Sequence, residues 1–223
     1  MKLIVGNKNY SSWSMRPWLA AKVLGIPFEE EQQVFSGEGW KDRFKAISPT
    51  ARVPVLVDGE LRIAESIAII EYFADRFPDK GVWPRDFKDR AIARALSAEV
   101  HGGFNDLRNA APMNLRASHP NRIDLGAVGG DLKRFEAIVA ERIKASGGPF
   151  LFGKFSAADA MYAPLATRLE TYVLPVSRTT HAYMEAVFAL PAFREWKAAA
   201  MQEPWIVDMD EIDVIQGKRA AKE

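Results

Sequence analysis

The chain contains no cysteine in its 223 residues. Disulfides, thiolate metal sites and redox chemistry on a protein thiol are therefore excluded. Histidine is scarce: His101, His119 and His181 are too scattered for metal-ligand spacing, so no metal is expected. Neither sign of charge is in excess. The formal net charge of +1 gives no field that would gather nucleic acid or an anionic membrane. Long apolar runs are also missing. The opening Met1-Lys2-Leu3-Ile4-Val5-Gly6 is too short for a signal-peptide core and gives way to Asn7-Lys8-Asn9. No later stretch approaches membrane-spanning length, and a cytoplasmic location is the expectation.

The length suffices for one large domain or two small ones with real cores. The first third alternates strands and helices. Leu3-Ile4-Val5 is a short buried strand, and residues 15–24 have helical apolar spacing that ends at Gly25. Pro17 fits only the first turn, which puts the helix start at residues 14–16. Residues 28–34 read as an edge strand and 40–47 as a short helix. Residues 53–57 form a strand, Asp58-Gly59 a hairpin turn, 61–63 the returning strand, and 66–77 an amphipathic helix. The α/β order closes at residue 78. Residues 79–87, rich in proline and charge, read as a linker.

Residues 88–205 read as all-helical. One long helix covers 88–111 and a second 125–146; Ser156-Ala157-Ala158-Asp159 is a capping signature ahead of a third, and Pro191 opens the last. The charged tail, 206–223, has little apolar content after Ile215 and is expected to be mobile.

Three constellations could carry chemistry. In Tyr10-Ser11-Ser12-Trp13-Ser14-Met15-Arg16, three hydroxyls crowd a helix start. Serine there is an ordinary N-cap. Alternatively, one hydroxyl, aided by the helix dipole, stabilises the thiolate of a bound ligand. In Arg52-Val53-Pro54-Val55, the proline could simply protect a strand edge. A cis Val53–Pro54 bond would instead turn the Val53 backbone outward, to pair with a peptide ligand as an added strand. Glu65-Ser66 precedes a helix; the two could bind the ammonium and the carboxylate of an amino-acid group.

With these segments in order, the chain resembles the cytosolic glutathione transferases over most of its length. The resembling residues are Ser11-Ser12-Trp13-Ser14-Met15-Arg16, Ser48-Pro49-Thr50-Ala51-Arg52-Val53-Pro54-Val55-Leu56, Glu65-Ser66-Ile67-Ala68-Ile69-Ile70-Glu71-Tyr72 and Ser156-Ala157-Ala158-Asp159. The resemblance implies a thioredoxin-like N-terminal domain (βαβαββα), an all-α C-terminal bundle and a homodimer. It further implies glutathione as cosubstrate, a cis Pro54, Val53 on the cysteinyl backbone of glutathione, and Glu65 and Ser66 on its γ-glutamyl end. Arg52 matches a position that meets the glycyl end in tau enzymes. The first helix is most similar to the serine-type zeta and tau classes, whose catalytic serine lies five residues before the arginine. That picks Ser11, with Ser12 as the alternative. Zeta enzymes read Ser-Ser-Cys where this chain has Trp13.

The expected activity is transfer: the glutathione thiol ionises at Ser11 and attacks a small electrophile, aromatic or unsaturated. A zeta-like glutathione-dependent isomerase, or a non-catalytic glutathione- or ligand-binding protein on the same fold, are the alternatives. A thiol reductase would need a cysteine where Ser11 stands. The electrophile belongs in a cleft between the domains, walled by Trp13, residues 36–40 including Trp40, and the first long helix with His101, Asn105 and Arg108 on one face.

Overall fold

The computed structural model describes residues 1–35, 39–48 and 50–220, with side chains to 217. The expected cleft residues 36–38, Pro49 of the second motif and tail residues 221–223 lie outside the described residues. The N-terminal half runs β1 (Lys2–Val5), α1 (Ser12–Leu24), β2 (Glu29–Gln32), α2 (Trp40–Ile47), β3 (Val55–Asp58), β4 (Leu61–Ala64) and α3 (Ser66–Arg76). The sheet order is β2-β1-β3-β4. β1 and β2 are parallel, which requires the α1 crossover. β1–β3 and β3–β4 are antiparallel, the latter pair closed by a tight turn with Gly59 at φ 59°. This is a thioredoxin-like βαβαββα domain.

The C-terminal half is helical: α4 (Phe87–Gly102), α5 (Asn105–Ala110), α6 (Leu125–Ser146), α7 (Ala157–Thr171), α8 (Arg178–Phe188), α9 (Pro191–Gln202) and α10 (Ile212–Ala220). Helix α1 is buried nearly all round because it sits between α3 on one side and α7 and α9 on the other. One apolar core therefore runs through both halves, from Leu3 and Leu56 through Trp18 to Tyr162 and Trp196. Among the described residues, no helix is long and apolar enough to cross a membrane.

Several expectations are corrected. The long helix over 88–111 is broken at Gly103 and Phe104: Phe104 takes a left-handed φ of 56°, and α5 starts afresh at Asn105. Helix α1 begins at Ser12, not at 14–16, so Pro17 lies in its second turn and gives the Trp13 carbonyl no N–H to accept. Helix α8, absent from the expected elements, is capped by Ser177, whose hydroxyl accepts the Thr180 N–H. The segment read as a linker is packed down. Val82 and Trp83 are buried, and the Val82 carbonyl accepts the Ala157 N–H.

The tail is folded too, as far as it is described. Glu211 accepts the Tyr10 hydroxyl at 2.5 Å and an Asn114 amide N–H at 3.1 Å, Arg122 pairs with Asp213 at 2.5 Å, and Ile212 is buried. Polar tertiary contacts hold it, so its thin apolar content gave no sign of them.

Candidate active site

The loop between β1 and α1 is fixed from behind. The Glu203 carboxylate, buried at the end of α9, accepts the Lys8 N–H at 2.5 Å and the Asn9 N–H at 3.0 Å, and Gln32 donates to it as well. Trp196 donates its indole N–H to the Lys8 carbonyl at 2.9 Å. The loop then turns, with Tyr10 and Ser11 N–H both on the Asn7 carbonyl, and α1 starts.

The three serines have separate tasks. Ser11 is the N-cap residue, but its side chain caps nothing; its hydroxyl instead donates to Ser14 Oγ at 2.8 Å. Ser14 is fully buried and accepts the Gly6 N–H at 3.0 Å, so it is structural. The Ser12 hydroxyl accepts from Arg168 Nη2 at 3.4 Å. The capping explanation for the cluster therefore fails at the side chain best placed to serve it. It fails again at Ser66, whose buried hydroxyl finds no hydrogen-bond partner among the described residues.

Two neighbouring cavities run along this edge. The first, about 440 Å³, is lined by Arg52, Val53, Pro54, Glu65, Ser66 and His101, among others. The second, about 420 Å³, is lined by Ser11, Ser12, Trp40, Asn105, Arg168 and Asp210, among others. Trp13, Arg52, Val53 and Arg108 line both. The Val53–Pro54 bond is cis, and Glu65 holds a φ of 72°, a backbone conformation that side chains rarely adopt. His101 thus joins Glu65 and Ser66 on the first cavity. Asn105 and Arg108 reach the second because the chain breaks between α4 and α5. Trp40 packs edge-on to Phe35 and Phe44 on its far wall.

Trp13 is the partition. Arg16 lies 4.0 Å from its ring centroid and Arg108 4.5 Å, and His101 meets it edge-on at 5.1 Å. Guanidinium planes stack well on indole, which lets the two arginines gather here. Arg108 also donates to the His101 and Gly103 carbonyls, capping the end of α4. Arg16 is buried, with Nε and Nη1 unpartnered among the described residues. Burial, then Arg168 and Arg108, press its guanidinium far below the usual arginine range. Arg168, also buried, is pushed down to about 10, first by burial and then by Arg108. His101 is held below the usual imidazole range by burial and Arg16, which outweigh Glu65 at 3.6 Å. That contact is therefore no salt bridge at neutral pH. The site holds more positive than negative charge around a hydroxyl cluster, and it favours an anion.

Sequence reasoning missed Arg168, Asp210 and the burial of Arg16. Arg168 carried a legible signal: it stands alone as a charge within Leu165-Ala166-Thr167-Arg168-Leu169. No group of three or more His, Cys, Asp or Glu residues that could hold a metal occurs among the described residues.

A thioredoxin-like domain joined to a helical bundle, with a hydroxyl cluster at the first helix and a cis-proline strand beside it, defines a glutathione transferase-type protein. Residues 10–76 match the family described as "Glutathione S-transferase, N-terminal domain". The chain is 33% identical over 191 residues to a probable maleylacetoacetate isomerase of Caenorhabditis elegans, covering 82% of this chain and 87% of that protein. It belongs to the glutathione S-transferase family. A probable maleylacetoacetate isomerase of Vibrio cholerae is 26% identical over 222 residues, covering 92% and 98% of the two chains. Among solved structures, a Burkholderia glutathione transferase homologue with bound glutathione superposes with a TM-score of 0.69 at 25% identity, covering 91% of this chain and 98% of its own. A bacterial zeta-class maleyl pyruvate isomerase gives 0.68 at 26% identity, covering 92% and 100%.

Proposed function

We propose that the protein is a glutathione-dependent enzyme that binds the tripeptide across the two cavities and activates its sulfur at Ser11. The shared lining of the two cavities carries this reading. The amino-acid end of glutathione would lie on Glu65 and the unpartnered Ser66 hydroxyl, its backbone along Val53, its glycyl carboxylate toward Arg52, and its sulfur past Trp13 at Ser11. Ser11 would then turn its proton from Ser14 to the sulfur, and Ser14 would donate to Ser11 in exchange. Ser12 is the second hydroxyl on the same wall. The cationic surroundings lower the thiol pKa by favouring the charged form.

Transfer to an electrophile is the first reading: the thiolate forms a C–S bond and a leaving group departs. The pair Arg108 and Arg168 favours a second, isomerisation of an unsaturated carboxylate. There the thiolate adds to a conjugated double bond, the adduct rotates about the resulting single bond, and elimination returns the thiolate. The isomerases among its relatives support this reading equally. A homodimer belongs with either reading; Leu61 of β4 and Ile92 of α4 leave apolar surface exposed in the single chain.

The deciding experiment measures turnover and glutathione consumption together, with an aromatic halide and with a cis-unsaturated keto acid. Stoichiometric loss of glutathione identifies transfer, and turnover without loss identifies isomerisation. Glutathione binding with no turnover of either substrate class would sink both in favour of a binding protein.

A further inference from the structure

Among the described residues, the second cavity contains one acid beside its cations. Asp210 ends a turn of 3-10 helix (Asp208–Asp210) and lines the same cavity as Arg168 and the serines. Its position is fixed by its neighbours. Glu211 is held by Tyr10 and Asn114, Val207 and Ile212 are buried on either side, and the Asp210 N–H bonds the Val207 carbonyl at 2.8 Å. Arg168, the opposing charge that acts on it most, directs Nη1 to the Pro164 carbonyl and Nη2 to Ser12, leaving Nε unpartnered among the described residues. The carboxylate therefore faces a guanidinium whose hydrogen bonds are directed elsewhere. Arg52 aside, which the proposed function places at the glycyl end of glutathione, the charged side chains lining this cavity among the described residues are Arg108, Arg168 and Asp210.

We propose that Asp210 is a specificity-determining residue that sets the charge of the electrophile cleft, so that the cleft accepts a singly charged anion and rejects a doubly charged one. Two guanidiniums alone would match a dianion. With the carboxylate in place, one positive charge remains for the ligand, and a second anionic group would meet Asp210. This deepens the reading of the second cavity as the electrophile site and rests on it.

The same arrangement makes the selection depend on pH. Burial raises Asp210 to about 6; Glu211 adds to the rise and Arg168 opposes it. The other groups facing this wall are Tyr172 on the same helix as Arg168, Arg108 on α5, and Tyr10 and Arg116 beyond Glu211. Tyr172, which burial raises above the usual phenol range, stays neutral throughout the range used, and Arg168, at about 10, stays charged. Lowering the pH through about 6 thus neutralises Asp210 and opens the cleft to the dianion.

The test is isothermal titration of the protein, saturated with S-methylglutathione, with benzenesulfonate and with meta-benzenedisulfonate, both ionised at every pH used. Asp210→Asn should raise the disulfonate-to-monosulfonate affinity ratio about tenfold at pH 7.5, the effect of one unit charge beyond contact distance. Asp210→Ser should do the same, which guards against a local packing effect of the amide. The wild-type ratio should rise as pH falls from 7.5 to 5.5, while the Asn variant's ratio stays level. Ratios unchanged in both variants, a wild-type ratio flat with pH, or binding of neither anion would overturn the proposal. Because the readout is binding, it is independent of the turnover assay: a changed ratio without turnover leaves the charge assignment standing and removes only the catalytic reading.

Discussion

At the scale of single residues, the proposed function divides the serine cluster into a chemical hydroxyl, Ser11, and a structural one, Ser14, and substitution should separate them. Ser11→Ala removes the hydroxyl that would turn to the sulfur, while Ser14 keeps the Gly6 N–H as a partner. It should lower kcat about a hundredfold, as the loss of one charge-stabilising donor does, with the urea midpoint nearly unchanged. Ser14→Ala leaves the buried Gly6 N–H without an acceptor and should cost about 1–3 kcal/mol in urea unfolding. If Ser11→Ala retains full turnover while Ser12→Ala loses it, the register is off by one. Trp13 makes a different point. Its place in the sequence was plain, but its role as a spacer between Arg16 and Arg108 was not. Stacking depends on Arg108 arriving from a helix about a hundred residues away, so spacing within the motif could not show it.

At the scale of elements, the legible ones carry their own periodicity or punctuation. The helix over 125–146 matches α6 residue for residue, and the Asp58-Gly59 signal falls on the hairpin. The break after α4 was missed although Gly102-Gly103 announced it; the apolar spacing continued through Leu107 and hid the interruption. Helix α7 shows how a local signal and a buried setting combine. Asp159 is fully buried and accepts the Ser156 N–H at 2.9 Å and the Leu151 N–H at 3.0 Å. An asparagine could serve only one of them and would turn N–H groups on the other. Asp159→Asn should therefore destabilise the fold by about 2 kcal/mol or more, read from urea unfolding at pH 7.

At the scale of the whole molecule, two acids titrate together. Burial raises Asp159 and Asp210 to about 6 each. An acid whose pKa is higher in the folded state binds its proton more tightly there. Its stabilising effect is present below the unfolded pKa near 4 and is lost as pH rises through about 6. The difference in unfolding free energy between wild type and Asp210→Asn should thus shift against the wild type by about 2–3 kcal/mol from pH 4 to pH 7. Calorimetry across that range checks it, and a pH-independent difference would remove the assignment.

The Glu203 contact has a further consequence. The loop that presents Ser11 receives its backbone acceptor from the far end of the chain, so the sheet-containing half cannot keep that loop in shape alone. Separating the halves would strand the Lys8 and Asn9 amides in an apolar seam. The loop beside the cleft is therefore tied to the helical half through Glu203 and Trp196. Any attempt to swap one half for that of a relative should carry Glu203 and its receiving loop as a matched pair.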